Sequence, residues 1–233
     1  MRTTGTTSFD LDFSELAEEA WERAGREMRS GYDLRTARRS MNLMTIEWAN
    51  RGINMWTIEE DFLTLVAGTA TYVLASDTID LMEHVIRTGS GSASTQSDIV
   101  ISRISAPAYA AIPNKLSQGR PVQIWIQRQG EPQVTLWPVP DSSTTYTLQY
   151  WRLRRIQDVG AGGTFTQDMP FRFLGAAAAG LAYYLAMKVP ELAERVPMLQ
   201  AEYERQWGLA SEEDREKATL RLVPRRASIG GRA

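Results

Sequence analysis

Leu34-Arg35-Thr36-Ala37-Arg38-Arg39-Ser40-Met41-Asn42-Leu43-Met44-Thr45-Ile46-Glu47-Trp48-Ala49-Asn50-Arg51-Gly52 is the stretch on which the fold turns. Leu34, Ala37, Met41, Met44 and Trp48 recur at steps of three and four residues, a heptad-like seam that seeks a partner helix. Core packing explains such a seam better than a cofactor or a membrane surface does. Asp33 stands ahead of it as a good N-cap, and Gly52 terminates it. Upstream, Phe13, Leu16, Ala17, Ala20, Trp21 and Ala24 form another apolar stripe at helical spacing. Asp12 with Glu15 predicts a capping box for this first helix, Gly25 lies near its end, and Gly31 falls in the connection.

Beyond Gly52 the texture changes. Phe62, Leu63, Leu65, Val66, Tyr72, Val73, Leu74, Val85 and Ile86 come in short runs broken by Gly68, Asp77 and Gly89, as strands do. Val122, Ile124 and Ile126 alternate with Gln123, Trp125 and Gln127. Gln133 to Pro138 and Tyr146 to Leu153 repeat that style, with a hairpin signal at Gly130 to Pro132. Residues 54–156 therefore read as antiparallel β. Within them, Ser90 to Ser97 is a low-complexity loop, too polar to pack, that projects into solvent or onto a partner. The Gly160 to Gly163 run predicts a hinge.

Helix then resumes. Phe173 to Met187 is Ala-rich and too short to span a bilayer, so it reads as a buried helix in close helix–helix contact. Pro190 suits a first helical turn, and Pro197 should kink or split the helix that follows. Leu192, Val196, Leu199, Tyr203 and Trp207 form its stripe, while Glu202, Glu204 and Arg205 fall on a solvated or inter-subunit face. The expected fold class is α+β: a helical bundle from the N- and C-terminal segments with an inserted antiparallel β lobe. The divisions are 1–53 and 160–217 for the bundle helices, 54–159 for the β domain, and 218–233 for a basic tail. That tail should order only on a partner.

Composition narrows the chemistry. The 233 residues are 43% hydrophobic and 23% charged, a folded composition; 26 Lys+Arg against 28 Asp+Glu give −2, unlike a polybasic DNA binder. With no Cys, thiol catalysis, disulfides and Cys-ligated metals are excluded; with one His, so is a multi-His metal site. His84 lies among Leu81, Met82, Val85 and Ile86 and reads as a satisfied packing residue. Glu59-Glu60-Asp61 and Glu212-Glu213-Asp214 are sequence neighbours, whereas acid–base pairs must converge across a cleft; solvated faces are expected. The glycines at 160–163 lack both the Lys-Ser/Thr of a P-loop and dinucleotide spacing. No catalytic residue, metal or cofactor site emerges, and the N-terminus lacks the apolar run of a signal peptide. Charge is uneven instead. The first helix is acidic (Glu15, Glu18, Glu19, Glu22), the second starts basic (Arg35, Arg38, Arg39), and the two can pair within a subunit or between subunits.

Five segments, in order, resemble the phage head-to-tail adaptor proteins, also called tail tubular protein A in short-tailed phages. They are Glu18-Glu19-Ala20-Trp21-Glu22-Arg23-Ala24-Gly25; Glu47-Trp48-Ala49-Asn50-Arg51-Gly52 running into Trp56-Thr57-Ile58-Glu59-Glu60; Gly119-Arg120-Pro121; Leu136-Trp137-Pro138-Val139-Pro140; and Tyr146-Thr147-Leu148-Gln149-Tyr150-Trp151. The likeness covers most of residues 10–210 and excludes the tail and the serine-rich loop. It implies a non-enzymatic virion protein made in the host cytoplasm: a homo-oligomeric ring, dodecameric as a rule, under the portal protein at the tail neck. Such a ring extends the double-stranded DNA channel and carries the tail nozzle or next tail protein. On that expectation Arg221, Arg225, Arg226 and Arg232 are portal-docking candidates, and Ser90, Ser92, Ser94 and Gln96 are tail-partner candidates. The bore should not be strongly basic, because phosphate contacts would hold the moving DNA. Three other readings stay open. They are another neck or tail-completion protein, a DNA-binding protein using the arginine tail and second helix, and a hydrolase using Glu59, Glu60 or the 212–214 acids. No membrane partner is expected.

Overall fold

Asp12 accepts the Glu15 N–H at 2.9 Å while the Glu15 carboxylate accepts the Asp12 N–H at 3.1 Å, the reciprocal cap foreseen for the first helix. Helix α1 (Phe13–Ala24) follows and closes on Gly25 in the left-handed region, φ 97°. The second cap differs from expectation. Helix α2 (Gly31–Arg51) begins at Ser30, whose hydroxyl accepts the Asp33 N–H, and Gly31 is its first residue rather than part of the connection. Asp33 sits one turn inside, where its carboxylate accepts the Arg29 N–H at 3.1 Å. Ser and Asp are both good caps, and the one that leaves the other free to reach back wins. The computed structural model describes residues 4–52, 55–161 and 166–215.

The middle of the chain holds β1 (Ile58–Thr64), β2 (Thr71–Val73), β3 (Thr78–Thr88), β4 (Ser97–Val100) and β5 (Ser102–Ile104). A short helix α3 (Ala106–Ala110), β6 (Gln123–Gln127), β7 (Gln133–Trp137) and β8 (Thr147–Arg154) follow. They form two four-stranded sheets, ordered β1-β8-β3-β4 and β2-β7-β6-β5. One feature departs from an all-antiparallel lobe: β5 pairs with β6 in parallel, Ser102 opposite Gln123. Parallel neighbours need a crossover, and α3 with the loop after it supplies one. The β6–β7 hairpin turns at the foreseen place, with Gln127 opposite Gln133. Leu81, Ile86, Leu148 and Tyr150 from one sheet meet Ile124, Ile126, Val134 and Leu136 from the other in a single buried core. The alternation of Ile124 and Ile126 with half-buried Gln123, Trp125 and Gln127 is what points that face inward.

After β8 the chain returns to helix: α4 (Leu174–Ala186), then a 3-10 segment, then α5 (Val196–Glu213). Pro197 splits the last helical region rather than bending it, since the 3-10 segment Pro190–Arg195 ends just before it. α4 lies at the centre of a second core, against α1, α2 and α5. Its small residues permit the approach. A Cβ on Gly180 would lie 2.5 Å from Met44 Sδ and 2.7 Å from a Tyr203 ring carbon. The α2 seam packs here: Ala37, Met41, Met44 and Trp48 have no exposed surface, and the Trp48 indole N–H donates to the Tyr203 hydroxyl at 2.8 Å. Each large side chain so enclosed contributes about 1.5–3 kcal/mol. Trp48, Trp207, Trp56 and Phe173 meet with ring centroids 4.5–5.6 Å apart. The bundle core is thus built from the two ends of the sequence, with the β lobe carried between them.

Candidate interaction surfaces

Half-buried polar contacts organise β8 and tie the β lobe to the bundle through Asp168, Asn42 and Asp214. Arg152 and Arg154 alternate along β8 and share one face. Arg152 reaches Glu59 on β1 at 2.8 Å and Asp77 at 2.5 Å. Arg154, its side chain 8% exposed, meets Glu59 and Asp168 at 2.5 Å each. Asp168 leads toward α4, accepts the Gln157 N–H, and lends its carbonyl to the Trp56 indole. Burial disfavours the charged Asp168 carboxyl, yet the Arg154 hydrogen bonds and the Gln157 N–H together outweigh it and hold the group below the usual carboxylate range. The Asp168 hydrogen bond in turn raises the Arg154 pKa against the cost of burial. Asn42 of α2 accepts the Val159 N–H at 2.9 Å, and Asp214 binds Arg172 and the Met55 N–H.

These contacts correct two expectations. Glu59, Glu60 and Asp61 are half-buried, exposed and half-buried, so they keep contact with solvent, but they are not free carboxylates: they bond Arg152 and Arg154, Gln149, and Tyr150 respectively. Asp214, likewise expected in solvent, is buried, its side chain 3% exposed. Partners 89–95 residues away for the first three, and 42 and 159 residues away for Asp214, made them look unpartnered. Glu204 is also tied within the chain: Arg51 of α2 grips it at 2.7–2.8 Å while lying over the Tyr203 and Trp207 rings. His84 is buried as expected, but Nδ1 has no hydrogen-bond partner, so it is not fully satisfied. Burial pushes its pKa down.

Two exposed helix faces stand out. One is a groove between α1 and α4, with Phe9, Leu11, Leu174 and Ala178 as its apolar lining and Glu15, Glu18 and Glu22 on its rim. The other is the outer stripe of α2, where Tyr32, Arg35, Arg39, Leu43 and Ile46 are exposed one turn after another. The acidic and basic helices do not neutralise each other. Among the described residues no ion pair joins Glu15, Glu18 or Glu22 to Arg35, Arg38 or Arg39. Periodicity showed the buried side of each helix; the opposite sides went unread because exposed charge is the default on a helix surface.

The serine-rich loop forms the tip of the β3–β4 hairpin, above the Arg87–Asp98 ion pair. Ser90, Ser94 and Gln96 are exposed and Ser92 is half-buried. The Ser92 carbonyl accepts N–H groups from Thr95 and Gln96, so the tip is a hydrogen-bonded turn. Arg221, Arg225, Arg226 and Arg232 lie outside the described residues, as do Gly162 and Gly163 of the expected hinge. Among the described residues, no helix is long and apolar enough to cross a membrane, and no cluster of three or more His, Asp or Glu could hold a metal.

A helical bundle and a β lobe tied by half-buried ion pairs, with two helix faces that join apolar surface to charge, make an architecture of two linked lobes. The chain belongs to the SU10 adaptor protein family, which matches residues 11–226. This is a family of phage head–tail adaptors, structural components of the virion that work through contacts with portal and tail proteins. No curated protein matches the chain.

Proposed function

We propose that this protein forms a ring, dodecameric by family resemblance, that docks under the portal, lengthens the DNA channel and receives the tail nozzle or next tail protein. The family match over nearly the whole chain carries the reading. The joined lobes support it, because a channel segment must keep its shape while DNA passes. Arg221, Arg225, Arg226 and Arg232 are the groups assigned to the portal, and the Ser90–Gln96 tip to the tail partner.

Purified protein mixed with portal rings should be imaged by electron microscopy. A coaxial ring added below the portal is the expected product, and protein that never associates with portals defeats the assignment. Removing residues 221–233 should weaken loading while the circular dichroism spectrum stays unchanged. Equal loading by the shortened chain would reassign the portal contact to another surface. The DNA-binding alternative predicts duplex affinity of the isolated subunit that falls steeply with salt.

A further inference from the structure

We infer that neighbouring copies of this chain meet through the α1–α4 groove of one subunit and the exposed α2 stripe of the next. The contact presupposes the ring proposed above and specifies its lateral interface. Each surface combines apolar area with charge, opposite in sign between the two, that no ion pair among the described residues neutralises. The groove offers Phe9, 76% exposed, and Leu11 beside Glu18 and Glu22. The stripe offers Leu43, 57% exposed, and Ile46, 41% exposed, beside Arg35 and Arg39. No residue belongs to both surfaces, as a head-to-tail contact that closes into a ring requires.

The spacing matches as well as the chemistry. Glu18 and Glu22 stand four residues apart on α1, and Arg35 and Arg39 four apart on α2, roughly 6 Å of helix rise in each case. Run antiparallel, the helices set Glu22 against Arg35 and Glu18 against Arg39. Continuing the same way, Leu43 and Ile46 lie one and two turns past Arg39, and Phe9 and Leu11 lie on the non-helical segment that leads into α1, beyond Glu18 at the matching end. The apolar ends therefore coincide when the charges pair. Parallel helices set the same charges together but carry Leu43 and Ile46 away from Phe9 and Leu11. Burying the charge pairs against apolar neighbours selects one register and penalises like-charged approach.

The test is a charge swap. E18K/E22K and R35E/R39E alter exposed side chains, so each variant should keep the wild-type spectrum and melting temperature. Each alone should associate on the order of tenfold more weakly, or less still, in sedimentation and in rings counted on portals. Mixed in equal amounts, they should assemble again, because every α1 then faces an α2 of opposite charge. A cysteine-free chain also permits a second check: E18C/R39C should give a ladder of disulfide-linked oligomers once oxidised. Single variants that assemble like wild type, folded variants that mixing does not rescue, or an absent ladder overturn the interface and leave the ring reading standing. Wild-type protein that forms no ring even on portals overturns the ring reading, and the interface with it.

Discussion

Replacing Gly180 by alanine and Gly208 by alanine should shift stability in different ways, although both glycines lie inside helices. Alanine gains about 0.8–1.0 kcal/mol over glycine in a helix interior, and that gain is common to both sites. At Gly208 a Cβ meets nothing within 4 Å, so the gain stands alone. At Gly180 it would lie 2.5 Å from Met44 Sδ and 2.7 and 2.8 Å from Tyr203 ring carbons. Neither neighbour yields easily: Met44 is fully enclosed, and Tyr203 is held by the Trp48 indole. Overpacking of this kind costs about 1–3 kcal/mol. The G208A protein should therefore be about 1 kcal/mol more stable than wild type, and G180A should be neutral to about 2 kcal/mol less stable. The propensity term cancels in the comparison, leaving a gap of about 1–3 kcal/mol that measures the steric term alone. Guanidinium titrations followed by helical circular dichroism, with slopes held common, read that gap directly. A gap near zero, or a more stable G180A, would refute close approach of α2 and α5 across α4.

Three further outcomes follow from the cap, the junction and the lone histidine. Asp12→Ala should cost about 0.5–2 kcal/mol by opening the α1 cap, read as a lower denaturation midpoint. Asp168→Ala strips Arg154 of one carboxylate and should cost up to about 3 kcal/mol, short of a fully buried pair because Glu59 remains. It should also expose residues 155–161 to protease; an unchanged digestion pattern would exclude Asp168 as the tie. Because the native Asp168 pKa is depressed, its stabilisation is present above the unfolded value of roughly 4 and fades as pH falls through the lower native one. His84 is also depressed, so the unfolded chain binds the extra proton first. Its penalty is absent well above roughly 6.5 and grows as pH drops below that toward the native value. His84→Gln should lose less stability than wild type between pH 7.5 and 5.5 in urea titrations.

Local grammar carried much of the architecture. The Asp12–Glu15 cap and the Gln127–Gln133 hairpin were readable because the groups that stabilise them lie within a few residues; the Met41–Trp48 seam was readable because its period marks the buried side, although its partners lie on α4 and α5. Pairing at long range was not. Nothing near Glu59 announces Arg154, and nothing near Ser102 announces a parallel partner at Gln123. The same distance effect hid the junction, since Asp168 and Asp214 gain meaning only beside Arg154 and Arg172. At Ser30 and Asp33 the ambiguity was local: two capping residues compete within one turn, and only three-dimensional geometry ranks them. The family resemblance rested on motif order, and the family match supports it where composition alone left several classes open.

A core assembled from both ends of the chain sets a timetable for synthesis. About 120 residues separate Arg51 from Leu174, so at ordinary translation speeds α1 and α2 wait roughly 6–24 s for their central partner to be made. The inserted β lobe can finish first, while an oily flank stays open beside the ribosome. A message cut short anywhere before α4 yields a polypeptide whose helices cannot close, and which presents that flank to chaperones and proteases.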